Sequence, residues 1–285
     1  MTDRDFGPLV TTAWLEAHLD APDVRVADCT WCLPQSGRDP RREYRERHIP
    51  GAVFFDLDEV CVPVDLHPHR VPDPARFASR VRRLGLGDGL RIVLYDANDF
   101  CASARVWWMF RLFGHREVAV LDGGLGKWIA EGRAVEDRPV EPRERHFTPR
   151  QNHLLLRELE QIRDNLTTRR EQLVDARAPG RFRGEEPEPR PGLRSGHIPG
   201  SRNLPYKRLL GPDGTLLGEA EIRRAFADAG VDLARPVVTS CGSGVSAAVL
   251  NLALARIGIA DAALYDGSWA EWGARTDTPV ATGPE

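Results

Sequence analysis

Val237-Val-Thr-Ser-Cys241-Gly-Ser-Gly-Val-Ser-Ala247 reads as a strand, a tight loop opened by a cysteine, and the start of a helix. Val237 and Val238 are β-branched and follow Pro236, a strand entry. From Val245 the run Val-Ser-Ala-Ala-Val-Leu-Asn-Leu-Ala-Leu-Ala-Arg-Ile is apolar on almost every face, interrupted by Asn251 and Arg256. It predicts a buried helix, with Gly258 as its stop. A cysteine in such a turn faces the positive end of the helix dipole and a concave set of backbone N–H groups. Both favour the thiolate, the reactive form. Free cysteines are most often small buried hydrophobes. Gly242 and Gly244, however, let N–H groups converge on one point, which packing a cysteine does not require. Cys241 is therefore the candidate nucleophile.

Around this stretch lies a chain of 285 residues, long for one core and comfortable for two domains. Charged residues at 28% and hydrophobic residues at 41% give an ordinary globular composition. A net charge of −3 offers no electrostatic case for nucleic acid or an anionic membrane. No apolar run approaches the roughly 20 residues of a membrane span. The start, Met-Thr-Asp-Arg-Asp-Phe-Gly-Pro, has acidic residues and no apolar stretch, so it does not read as a secretory signal. A cytoplasmic protein is expected. The five cysteines, Cys29, Cys32, Cys61, Cys101 and Cys241, are an odd, scattered set that suits a reducing compartment. Cys29 and Cys32 form a C-x-x-C, but no second pair completes a metal site and a loop follows, so no metal is expected.

The chain is written twice. Tyr44-Arg-Glu-Arg-His48-Ile-Pro-Gly-Ala52 returns as Leu193-Arg-Ser-Gly-His197-Ile-Pro-Gly-Ser201. Val26-Ala-Asp28 returns as Leu173-Val-Asp175, and Ile92-Val-Leu-Tyr-Asp96 as Val237-Val-Thr-Ser-Cys241. Leu121-Asp122-Gly-Gly with Trp128 is answered by Tyr265-Asp266-Gly-Ser with Trp269 and Trp272. Four matches in one order, at offsets of 144 to 149 residues, mean a tandem duplication. Each half reads as a short strand, the His-Ile-Pro-Gly loop, an amphipathic helix (Asp73 to Arg83, or Glu219 to Ala229), a central strand, a buried helix and a last strand. That alternation predicts an α/β fold with two tandem domains, each a mainly parallel sheet flanked by helices. The expected boundaries are 1–135 for the first domain, 136–153 for a linker rich in Pro, Arg and Glu, and 154–285 for the second. The second opens on an amphipathic helix over Leu154 to Arg170. The cysteine position of the first half is Asp96, which cannot act as a sulfur nucleophile. The first domain is expected to keep the fold without the chemistry. His48 and His197 recur in both halves and read as structural, as do Asp28 and Asp175.

The His-Ile-Pro-Gly-Ala segment, the duplication and the cysteine loop resemble the rhodanese superfamily of sulfurtransferases. Cys241-Gly-Ser-Gly-Val-Ser-Ala247 is similar to the Cys-Gly-Ser-Gly-Val-Thr-Ala of the 3-mercaptopyruvate sulfurtransferases, and less so to thiosulfate rhodaneses, which carry Arg-Lys at Gly242-Ser243. The similarity runs through Gly37-Arg-Asp-Pro-Arg-Arg-Glu-Tyr44, Phe54-Phe-Asp-Leu-Asp58, Val106-Trp-Trp-Met-Phe110 and Gly180-Arg-Phe-Arg-Gly-Glu-Glu-Pro-Glu-Pro-Arg190, nearly the whole chain. Ser246 in place of Thr and a short loop after Asp96 are the departures. The resemblance implies sulfur transfer from 3-mercaptopyruvate through a Cys241 persulfide, without cofactor, to a thiol such as thioredoxin or a low-molecular-weight thiol, or to cyanide. It implies substrate binding by Arg181 and Arg190 and by the loop residues Gly242, Gly244, Val245 and Ser246. It also implies a proton relay of Ser243 with His69 and Asp58, both from the first half, reaching the cysteine loop.

Three rivals remain at this level. Thiosulfate as donor keeps the same nucleophile, but a neutral Gly-Ser pair is a poorer host for a dianion. Rhodanese-like phosphatases use Cys-x5-Arg, and here Ala247 stands where that loop's fifth intervening residue would be followed by arginine. A non-catalytic rhodanese-like binding module would have no need to retain Cys241 with its glycines.

Overall fold

Short aliphatic and β-branched runs form the strands in the computed structural model, which describes residues 6–64, 67–138 and 140–284. The first repeat supplies β1 (Leu9–Val10), β2 (Val24–Asp28), β3 (Val53–Phe54), β4 (Val62–Val64), β5 (His67–Arg70), β6 (Arg91–Tyr95) and β7 (Val118–Leu121). The second supplies β8 (Leu156–Arg157), β9 (Gln172–Asp175), β10 (Arg202–Asn203), β11 (Val237–Ser240) and β12 (Ala263–Tyr265). The chain forms two units. One holds the chain through Val60, Pro72–Asn152 and Gly211–Leu216; the other holds Cys61–Val71, His153–Leu210 and the chain from Leu217 onward. Each unit thus takes in a short segment of the other repeat.

The first unit is built on a five-stranded sheet in the order β1-β7-β6-β2-β3, all parallel. The second repeats it as β10-β9-β11-β12-β8, also all parallel. With β2 matched to β9 and β6 to β11, the strand orders are the same, as a duplication requires. The two central strands, β6 and β11, lie inside parallel sheets whose faces are covered by helices, so nearly all their residues are buried without the in-and-out alternation of a half-exposed strand. All four residues of β11 are buried.

The helices expected over Asp73 to Arg83 and Glu219 to Ala229 run Pro74–Arg83 and Glu219–Asp228. Asp73 caps the first through the Arg76 N–H at 2.9 Å. Phe77 and Val81, or Ile222 and Phe226, face inward at helical spacing. The helix expected over Leu154 to Arg170 is shorter, Leu159–Thr168. Its first three leucines go instead to a 3-10 turn and to β8, where Leu156 pairs with Leu264 of β12. The Glu158 N–H donates to the Gln161 side chain at 2.9 Å and starts the helix there. The buried helices after the central strands are Cys101–Leu112 and Ala247–Arg256.

Residues 140–152 carry no helix or strand and lie along the first unit. Their backbone is held by Asp88 N–H to His146 O at 2.8 Å and Asn152 N–H to Leu112 O at 2.7 Å. Phe147 is fully buried, edge-on to Phe77. Gly87 permits the approach, since a β-carbon there would lie 2.2 Å from His146 O.

Candidate active site

Cys241 follows the last residue of β11, at the carboxyl end of the central strand of the second sheet, the position where open parallel sheets bind ligands. Its side chain is buried, 1% exposed. The turn Asp266–Ala270 holds it in place. Ser268 Oγ accepts the Cys241 N–H at 3.2 Å and donates to Tyr265 O at 2.9 Å. Trp269 and Ala270 donate their N–H groups to the Cys241 and Gly242 carbonyls at 2.9 and 2.8 Å. Gly244, with φ at +76°, turns the loop through the left-handed region before the helix begins at Ala247. Asn251, the polar residue in that buried helix, accepts from Thr239 Oγ1 at 2.5 Å and donates to Ala262 O at 2.7 Å. Those bonds tie the helix to the sheet that carries Cys241.

Two arginines approach the loop, and a third supports them. Arg181, on the short helix Pro179–Arg183, places Nη2 over Gly242, 3.0 Å from where a β-carbon would stand. Arg190 Nη2 lies 3.5 Å from Ser243 Oγ, the outer limit of a hydrogen bond. Burial pushes the Arg190 guanidinium below its ordinary value; Cys241 acts against that, Arg181 adds to it, and Glu188 opposes it. Arg177 lies beneath, fully buried, over the Trp269 ring at 4.5 Å. Burial works against its charge, but Asp175 and Glu188 outweigh it and hold its pKa above the ordinary range.

Glu188 organises this cluster. One of its oxygens accepts from Arg177 Nη1 at 2.7 Å, the other from Arg181 Nη2 at 2.5 Å, and its side chain is 2% exposed. Asp175 accepts from Arg177 Nη2 at 2.6 Å. A buried, bridging carboxylate of this kind fixes two guanidinium groups that would otherwise sample many rotamers.

His69 belongs to this second unit, on the segment Cys61–Val71, with Nδ1 3.5 Å from Ser243 Oγ and its side chain buried. The second unit therefore brings together Cys241, Gly242, Ser243, Gly244, Val245, Ser246, Arg181, Arg190 and His69. Asp58 belongs to the first unit, in the helix Leu57–Val60, where its carboxylate accepts from Trp31 Nε1 at 3.1 Å. Among the described residues, no cluster of three or more His, Cys, Asp or Glu is placed to hold a metal ion. Among the described residues, too, no helix is long and apolar enough to cross a membrane.

The equivalent loop of the first unit is occupied from within. Asp96 Oδ1 accepts the N–H groups of Asn98 and Phe100 at 3.0 and 3.1 Å, and Oδ2 accepts the Ser103 N–H and Oγ at 2.8 and 2.9 Å. The carboxylate sits in an N–H cradle at the repeat position of the cysteine. Burial pushes its pKa up, and those donors pull it back. His48 and His197 make equivalent contacts in the two units. His48 Nδ1 lies 2.7 Å from Tyr44 O with its ring stacked on Tyr44; His197 Nδ1 lies 2.8 Å from Phe182 O with its ring stacked on Phe182.

Arg177, Glu188, Asp266 and Ser268 were not among the residues singled out from the sequence. A signal for the first was present: Asp28-Cys-Thr30 and Asp175-Ala-Arg177 are repeat equivalents, and only the half that holds Cys241 carries arginine at this position.

The rhodanese-like domain family matches residues 11–131 and 158–275. The chain belongs to the rhodanese family. It is 43% identical to human 3-mercaptopyruvate sulfurtransferase over 270 residues, covering 93% of this chain and 91% of that one. It is 42% identical to rat thiosulfate sulfurtransferase over 284 residues, covering 96% and 95%. Among solved structures it is similar to SseA from Escherichia coli, a 3-mercaptopyruvate sulfotransferase structure, with a TM-score of 0.83 and 35% identity over 92% of this chain and 99% of that one.

Proposed function

We propose that this protein is an enzyme that moves sulfane sulfur from 3-mercaptopyruvate to a thiol or cyanide, with Cys241 as nucleophile. The observation that carries the reading is the pair of guanidinium groups, Arg181 over Gly242 and Arg190 beside Ser243, converging on the loop that Cys241 opens. A keto acid carboxylate is held by such groups, which orient the substrate sulfur toward Cys241. The Cys241 thiolate attacks that sulfur. An S–S bond forms, the C–S bond breaks, and its electron pair leaves on pyruvate as the enolate. The proton carried by the transferred sulfur passes to the enolate carbon, giving pyruvate and a persulfide anion on Cys241. Ser243 and His69 are the relay for that proton. The loop amides and the start of the helix Ala247–Arg256 stabilise the anion. In the second step an acceptor thiolate, of thioredoxin or a small thiol, or cyanide takes the outer sulfur and restores the Cys241 thiolate. The protein works in the cytoplasm, and the two repeats, residues 1–135 and 154–285, serve as an inactive and a catalytic domain.

Thiosulfate is the second donor, favoured by the thiosulfate sulfurtransferases among the relatives at 42–43% identity. Gly242 and Ser243 supply no charge for its dianion, so 3-mercaptopyruvate is the better substrate. The test is to incubate wild type and Cys241→Ser with each donor, measure pyruvate or sulfite release, and weigh the intact protein for one added sulfur. Persulfide on the Cys241→Ser variant would overturn the nucleophile, and faster turnover of thiosulfate would overturn the donor. No persulfide from either donor would point to a binding module instead.

A further inference from the structure

The segment that carries His69 is tied down at its end by a backbone bond. The Val71 N–H donates to Asp266 Oδ2 at 3.0 Å, two residues beyond His69. The same bond exists in the first unit, where the Leu216 N–H donates to Asp122 Oδ1 at 2.8 Å. Val71 corresponds to Leu216, and Asp266 to Asp122, under the duplication. Each unit thus ends its borrowed segment on the aspartate that follows its own β7 or β12.

The two copies differ in what the segment brings. Gly211–Leu216 delivers no histidine; its one titratable group, Asp213, is paired with Lys127 at 2.8 Å and with Thr215. Cys61–Val71 delivers His69 to Ser243. The segment is a two-stranded antiparallel ribbon with an irregular register, a structure of little stability by itself. Asp266 also opens the turn whose Ser268, Trp269 and Ala270 bind the Cys241 and Gly242 backbone. One turn therefore sets the register of both the nucleophile and the histidine.

We propose that Asp266 is a positioning residue that fixes His69 against Ser243 by holding Val71. The proposal rests on the relay reading of His69 and Ser243. Asp122 is the matched control, since it makes the same bond to a segment with no part in the chemistry.

The experiment measures kcat and KM for pyruvate release from 3-mercaptopyruvate, with thermal melts, on Asp266→Ala, Asp266→Asn, Asp122→Ala, His69→Asn and the Asp266→Ala/His69→Asn double variant. The expected result is a fall in kcat of about 10- to 100-fold for Asp266→Ala, the size of a small misplacement, with little change in KM. Asp266→Asn, whose amide oxygen still accepts the Val71 N–H, recovers most of the rate. Asp122→Ala melts lower without loss of kcat, and the double variant is no slower than His69→Asn alone. A wild-type kcat in Asp266→Ala beside a slow His69→Asn overturns the positioning role only. So do multiplying losses in the double variant or an equal kcat loss in Asp122→Ala. A wild-type kcat in His69→Asn overturns the relay, and the positioning role with it. If Asp266→Ala does not fold, Val71→Pro removes the donor from the other side of the bond and is read by the same outcomes.

Discussion

Arg181 Nη2 lies over the α-carbon of Gly242, 3.0 Å from the position a β-carbon would take. The contact explains the glycine by space and not by backbone freedom, because no left-handed φ occurs at Gly242 as it does at Gly244. Gly242→Ala is expected to displace the guanidinium by a few tenths of an ångström. Donor KM should rise several-fold while kcat and melting temperature change little. A kcat loss with unchanged KM would show that Gly242 serves the chemistry and not the Arg181 seat.

Glu188 sets the charge of the cluster as well as its geometry. Arg177, Arg181 and Arg190 face Asp175 and Glu188, leaving a small positive excess suited to one carboxylate. Glu188→Gln removes one negative charge, and thiosulfate should gain on 3-mercaptopyruvate by about 5- to 10-fold in kcat/KM at low salt. The same change leaves the buried Arg177 short of a partner, at about 2–4 kcal/mol of stability. Steady-state kinetics with both donors and a urea titration check the two effects separately.

Asp96 accepts the Asn98, Phe100 and Ser103 donors within the first unit's loop, and we predict a structural role for it. Asp96→Ala leaves the Asn98, Phe100 and Ser103 donors without their acceptor and should cost about 2–4 kcal/mol. The kcat for pyruvate release should not change. A loss of turnover in protein that still melts cooperatively would refute the division of labour between the repeats.

Asp28 gives the pH dependence. It occupies the place of Asp175, but Thr30 stands where Arg177 does, so no guanidinium faces it from that position. Burial pushes its carboxyl up to about 6 from 3.8, against the pull of the Thr30 and Tyr95 donors. The folded state thus holds this proton more tightly than the unfolded chain. Ionisation is without penalty below pH 3.8 and carries its full penalty above about 6, roughly 3 kcal/mol. Asp28→Asn should therefore gain on wild type in melting temperature as pH rises from 4 to 7. A difference that stays flat across that range would show that the Asp28 pKa is not raised.

The duplication and the two parallel α/β sheets were legible in the chain, because local patterning determines them, and the same patterning singled out Asp96 and the loop at Cys241. Alternation of strand and helix is a short-range signal, and two copies of it supply their own control. The helix over Leu154 to Arg170 was misread at its start because three consecutive leucines have no period; pairing with β12 decided that Leu156 is strand. The bridging of Arg177 to Arg181 by Glu188 depends on side chains folded back from a loop without periodicity. Sequence alone offered His69 only through resemblance to a family. Its seat beside Ser243 is decided by a ribbon that leaves its own repeat and is fastened through Val71 to Asp266, 195 residues beyond Val71 in the chain. Cys241 is singled out by its loop, whereas the groups around it are gathered by long-range bonds that no local pattern encodes.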